Sequence, residues 1–178
     1  MNAPILFRNV PLADLRGPKT VEVTATPEQR AALAKECDLL DVSHLTAMVT
    51  LTPEADGAVS VAGLVTANIE QACVVTLDPV PQRIDEPFAV RFVRPGSPEL
   101  PLPARPHDEV VVDPAAPDPP EVLSGNAIDL GPLIEETFLL AIDPYPRSPG
   151  AMLAQEPADG NQSDSPFAVL AGLKPPKK

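Results

Sequence analysis

Imidazoles and thiols, the side chains best suited to attack or ligate, are few in this chain and not close together. The two cysteines, Cys37 and Cys73, lie far apart and match neither a redox pair nor a metal-site spacing. The two histidines, His44 and His107, have no neighbouring cysteine or periodic carboxylate that would complete a metal site. Glu135 and Glu136 are adjacent, so on a helix they diverge, which suits a solvated helix start better than a paired-carboxylate centre. No glycine loop for phosphate and no nucleophile-elbow serine is found. We expect no catalytic, cofactor or metal site, and therefore binding. Arg83, Arg91 and Arg94 fall near one strand. Arg83 and Arg91 project from one face if Pro87 makes no bulge, a local patch for RNA phosphates, although a solvated strand face is the plainer reading. From His107 to Asp143 there are nine Asp or Glu and no Lys or Arg, with Asp129, Glu135 and Glu136 among them, which suits a cationic partner. Phe167 and Leu170 offer an apolar contact near the end.

Composition sets the frame for these groups. The chain has 178 residues, 44% of them hydrophobic, but no Trp, one Tyr and five Phe, so aliphatic side chains must build the core. Its 25 prolines cluster, which removes backbone donors and leaves an ordered body of about 120 residues. Net charge is −12, with a pI near 4.4. Such a field repels phosphate backbones and attracts basic proteins. No apolar run reaches the roughly 18 residues of a membrane span, and the start lacks a signal-peptide layout. A reduced, cytoplasmic protein without membrane contact is expected.

The elements that must position these groups follow from periodicity. Residues 4–10 alternate loosely as a first strand, and Val21, Val23 and Ala25 mark a second. Thr26, Pro27 and Gln29 open a helix over about 27–39, with Leu33, Cys37 and Leu40 on its stripe. Leu45, Ala47, Val49 and Leu51 alternate against His44, Thr46, Met48 and Thr50. Asp56-Gly57 then turns a hairpin of strands 44–52 and 58–72. A third strand runs near 83–93, with Phe88, Val90 and Phe92 on one face; Pro87 marks its start, a bulge or a sheet edge. The Pro-rich loop 94–120 contains a short strand at Val110 to Val112. Asp129 caps a second helix, near 130–141, which Asp143-Pro144 stops.

Four stretches, in this order, resemble the YceD family, the large ribosomal RNA subunit accumulation proteins of bacteria and chloroplasts. They are Thr26-Pro-Glu-Gln-Arg-Ala-Ala-Leu-Ala34, similar to alphaproteobacterial members; Gly63 through Cys73 to Val80; Ala127 to Arg147; and Ser165-Pro-Phe-Ala-Val-Leu-Ala-Gly-Leu-Lys174. The resemblance implies a role in accumulating 23S ribosomal RNA, without a known enzymatic activity. Many members carry Cys-x-x-Cys in the central turn; here Cys73 keeps the first place and Thr76 takes the second. With one thiol, a metal there is not expected, and Cys73 reads as a packed turn residue.

The expected fold class is α+β: an antiparallel sheet, its closure into a barrel left open, packed by two main helices, with a Pro-rich acidic loop and a short C-terminal helix. Residues 1–146 form one domain with a mobile loop at 94–120, residues 147–164 a flexible linker, and 165–178 a terminal helix with a basic tail. The expected function is ribosome biogenesis through binding of pre-50S components, a basic ribosomal protein or rRNA, with no small-molecule substrate. The alternative is a small metal-dependent or hydrolytic enzyme acting on RNA.

Overall fold

A strand that alternates wet and apolar positions must find a cover for its apolar side. The computed structural model describes residues 4–100 and 118–152. Among them are seven strands: β1 (Asn9–Pro11), β2 (Lys19–Thr24), β3 (Asp41–Pro53), β4 (Val59–Ala72), β5 (Pro79–Val93), β6 (Glu121–Val122) and β7 (Ala127–Asp129). Two α-helices, α1 (Pro27–Glu36) and α2 (Leu130–Ala141), complete the set. The order β2-β3-β4-β5-β6 makes one open sheet, antiparallel except for the parallel β5–β6 pair, and β1 pairs with β7. Among the described residues the sheet is open and does not close into a barrel, the question that the sequence left open. The strand expected at Val110 to Val112, His107, the linker from 153 onward and the terminal segment with Phe167 and Leu170 lie outside the described residues.

The β3–β4 hairpin carries the core. Leu45, Ala47, Val49 and Leu51 are buried, as are Val61, Val65, Ala67 and Ile69 opposite them, and both helices pack on this inner side. His44 and Met48 face outward. Asp56 accepts from the Ala58 N–H (3.0 Å), and Gly57 takes φ +83°, a conformation glycine adopts without a Cβ clash. Thr26 and Gln29 form the expected capping box on α1.

Several expected boundaries move, among them the start of β3, which lies at Asp41 and not at 44. Helix α1 ends at Glu36, not 39: Asp38 takes φ 54°, the chain turns, and the Leu40 N–H joins Glu70 O at 2.8 Å, leaving the Leu40 side chain outside the core. The first strand keeps only Asn9–Pro11, because the residues before it serve α2. The Leu6 N–H donates to the Glu135 carboxylate, the Arg8 N–H donates to Asp129 Oδ1 (2.9 Å), and Arg8 O accepts from the Leu130 N–H (2.9 Å). Gly131 lets the Leu6 carbonyl cross the helix start, where any Cβ would collide with it.

The third expected strand begins at Pro79, earlier than 83, and runs unbroken along β4 to Phe92, ending at Val93. Its prolines, 79, 81 and 87, all have odd numbers. Val93 O accepts from Leu123 N at 2.8 Å, on the side away from β4. A residue's N–H and C=O point to the same side of a strand, so the odd residues of β5 point away from β4. The missing proline donors therefore cost the β4–β5 ladder nothing.

Candidate binding site

The unbroken register shows that Pro87 makes no bulge, so Arg83 and Arg91 do leave the same, outer face of β5. Neither charge is unopposed. Arg83 Nε lies 2.6 Å from Asp85 Oδ2 on the same strand. Arg91 sits among three carboxylates, 2.8 Å from Glu54 Oε2, 2.9 Å from Asp56 Oδ2 and in contact with Glu99. The Arg91 guanidinium holds the Glu54 carboxyl below its ordinary pKa, helped by the Ser60 hydroxyl. The Ala58 N–H and then Arg91 do the same for Asp56. Arg94 is exposed, with its Nε 2.9 Å from where a Cβ on Gly57 would stand. Among the described residues it has no ion pair. Two charges of the considered cationic strip are therefore matched by neighbouring acids: Arg83 by Asp85 of its own strand, and Arg91 by Glu54 and Asp56 of the β3–β4 turn together with Glu99.

The acidic residues divide by role. Asp129 caps α2 through the Gly131 N–H (3.0 Å) and also accepts from Arg8 N–H. Glu135 holds Leu6 N–H. Both carboxylates are thus bound into the fold, whereas Glu136 is exposed. Glu136 borders a groove of ≈ 320 Å³ between β5, on the side away from β4, and α2. Phe88 and Val90 line it from the strand, and Leu133, Thr137 and Leu140 from the helix; Asp118 and Glu121 add two more acids. The side chain of Leu140 is 80% exposed. Among the described residues none of Asp118, Glu121 and Glu136 has a cationic partner. Gln82 fixes the helix beside the strand by donating to Ala141 O (2.8 Å) and accepting from Asp143 N–H (3.1 Å), and Gln71 donates to Asp143 O (2.9 Å).

The Cys73 turn is a second, buried feature. Its Sγ accepts from the N–H groups of Val75 (3.4 Å), Thr76 (3.4 Å) and Ser148 (3.3 Å). The Ser148 N–H, followed by the Thr76 hydroxyl and the two turn N–H groups, brings the thiol down to about 6 against the cost of burial. Cys73 is fully buried, and Val74 N–H reaches Pro146 O (2.9 Å), so residues 146–148 are tied to this turn. Cys37 caps α1, and burial pushes its thiol up. Among the described residues no group of three His, Cys, Asp or Glu is placed to hold a metal ion. His44 contacts the Thr46 hydroxyl at 2.6 Å.

Sequence reasoning missed the groove and the carboxylates around Arg91. A signal for the groove was present in the equal parity of Pro79, Pro81 and Pro87, which marks the outward side of a strand with little beyond it. Glu54 and Asp56 stand 37 and 35 residues from Arg91, with no local pattern joining them.

No helix among the described residues is long and apolar enough to cross a membrane. No curated protein and no solved structure matches the chain. The profile of the family described as large ribosomal RNA subunit accumulation protein YceD matches residues 61–174. That span begins within β4 and takes in the Cys73 turn, β5, the groove and α2. It contains three of the four stretches that carried the resemblance; Thr26 to Ala34 lies outside it. With well over half of its length so matched, the chain belongs to the YceD family, whose name associates it with accumulation of large-subunit ribosomal RNA.

Proposed function

We propose that the protein is a cytoplasmic ribosome-biogenesis factor. It supports accumulation of 23S ribosomal RNA by binding a basic protein component of the pre-50S particle, without catalysis. Residues 1–146 form the binding body, and the terminal segment with Phe167 and Leu170 adds a second contact. The observation that carries this reading is the uneven matching of charge. Arg83 and Arg91 are taken up by neighbouring carboxylates, while Asp118, Glu121 and Glu136 have no cation beside them among the described residues. Nor is the acidity confined to the proline-rich loop: the described residues hold nineteen Asp or Glu against nine Lys or Arg. A surface of this kind favours a cationic partner and disfavours phosphate.

The test is capture by the full-length protein of purified large-subunit ribosomal proteins in one arm and purified rRNA in the other. Capture of one or more basic proteins is expected, and Glu136→Lys should weaken it without unfolding the chain. Glu135 is unsuitable for this purpose, since its replacement would release Leu6. Tight binding of naked rRNA with no capture of basic proteins would reject the reading.

A further inference from the structure

The edge of β5 carries more than charge. We propose that its outward side between Arg83 and Arg91 captures an extended segment of the partner as an added β-strand. That segment alternates apolar and basic residues, with its apolar side chains against α2. The proposal deepens the basic-protein reading above and rests on it for the sign of the partner's charge.

Three observations converge. First, β6 covers β5 only at Phe92 and Val93. The odd residues point away from β4, so the N–H groups of Arg83, Asp85, Ala89 and Arg91 and the carbonyls beside them face outward. Among the described residues no backbone partner takes these N–H groups or the carbonyls of Arg83, Asp85 and Ala89; the Arg91 carbonyl is met by the Glu121 N–H in the β5–β6 ladder. Exposed strand edges template the pairing of another chain. Pro81 and Pro87 remove donors along this edge but leave those of Ala89 and Arg91 beside the groove. The chain's own β6 extends no further toward that stretch, since Pro119 and Pro120 precede it and lack donors.

Second, the open edge runs beside a helix. A strand laid on it would send alternate side chains into the space bounded by Phe88, Val90, Leu133 and Leu140. Strand addition takes its affinity from main-chain hydrogen bonds and its selectivity from pockets for alternate side chains. Here the strand supplies the first and α2 the second.

Third, charge selects the occupant. Asp118, Glu121 and Glu136 line the groove, and the one cation there among the described residues, Arg91, is already matched by Glu54 and Asp56. An RNA strand would meet carboxylates; a segment with lysine or arginine at every second position would meet its counter-charges.

The test is fluorescence anisotropy on full-length protein with a short labelled peptide of alternating lysine and valine. The peptide should bind, and Ala89→Pro should weaken binding by about tenfold or more. That substitution removes an outward N–H, and the native Pro81 and Pro87 already occupy the same parity in this strand. An unchanged circular dichroism spectrum would confirm that the fold is kept. Leu140→Lys, at an exposed helix position, should also weaken binding, as should N-methylation of alternate peptide nitrogens; these two hold the test if Ala89→Pro misfolds. Equal binding by the wild type and Ala89→Pro, with the N-methylated peptide binding as well, would overturn strand addition and leave the basic-protein reading standing on charge alone. Binding of rRNA with neither peptide nor basic ribosomal protein captured would overturn both. A concentration-dependent dimer that Ala89→Pro dissociates, without peptide binding, would assign the edge to a second copy of the chain and overturn the proposal.

Discussion

Gly131→Ala should destabilise the protein sharply, although alanine is the better helix former. A methyl at this position would stand 1.9 Å from the Leu6 carbonyl oxygen, 2.6 Å from its carbon and 3.1 Å from the Phe7 nitrogen. Non-bonded carbons settle at roughly 3.5–4.0 Å, so the crossing segment must retreat by more than about 1 Å. Retreat loosens the bonds from Leu6 and Arg8 to the start of α2 and lifts Leu6, which is 1% exposed, out of the core. Burial of a leucine is worth about 1.5–3 kcal/mol, and overpacking costs about 1–3 kcal/mol. Against these stands a helix-propensity gain of at most about 1 kcal/mol. The balance is a loss of about 2–4 kcal/mol, which lowers Tm by roughly 5–15 °C for a chain of this size. The chain has one Tyr and no Trp, so urea unfolding is best followed by far-UV circular dichroism. Gly17→Ala is the control, since nothing lies within 4 Å of a Cβ there. A Gly131→Ala midpoint within about 0.5 kcal/mol of the wild type would show that the crossing is not tight, and the account of how α2 is anchored would fail.

Two further outcomes follow from titrating groups. The Cys73 thiol ionises near 6 in the folded chain against 9.0 unperturbed, so the unfolded chain binds more protons between those values. Stability should rise with pH across that window and fall as pH drops toward 6, and Cys73→Ala should flatten the slope in urea titrations; an equal slope in both proteins would count against a bound thiolate. Arg91→Met should be less stable at neutral pH, where Glu54 and Asp56 lose their cation. Because both carboxyls are held down in the wild type, its advantage should shrink as acid protonates them; an advantage that persists below the carboxylate range would place its origin in packing.

Much of the fold was legible because its signals are local. The Thr26 and Gln29 capping box, the Asp56-Gly57 turn and the full span of α2, from its Asp129 cap to its end before Asp143-Pro144, each depend on residues a few positions apart. The alternation through Leu45 to Leu51 assigned the inner face correctly, and the shared face of Arg83 and Arg91 followed from counting. Where local periodicity misled, as with Leu40 on the α1 stripe, a single left-handed residue at Asp38 had ended the helix first.

The sequence by itself determined the long strands, both helices, the overall acidity and the family, since propensity, patterning and motif order are carried by neighbours along the chain; the short β6 and β7 carry no such signal. Tertiary structure alone decided which charges remain available. Arg91 is matched from 35 and 37 residues away, Glu135 holds a backbone N–H 129 positions distant, and Cys73 is bound by a donor 75 positions on. It also decided that the two-residue β6 covers β5 only at its end, so that β5 donors beside α2, next to an acidic groove, have no backbone partner among the described residues. Coulombic and hydrogen-bond partners are chosen by distance in space, and only the folded chain sets those distances.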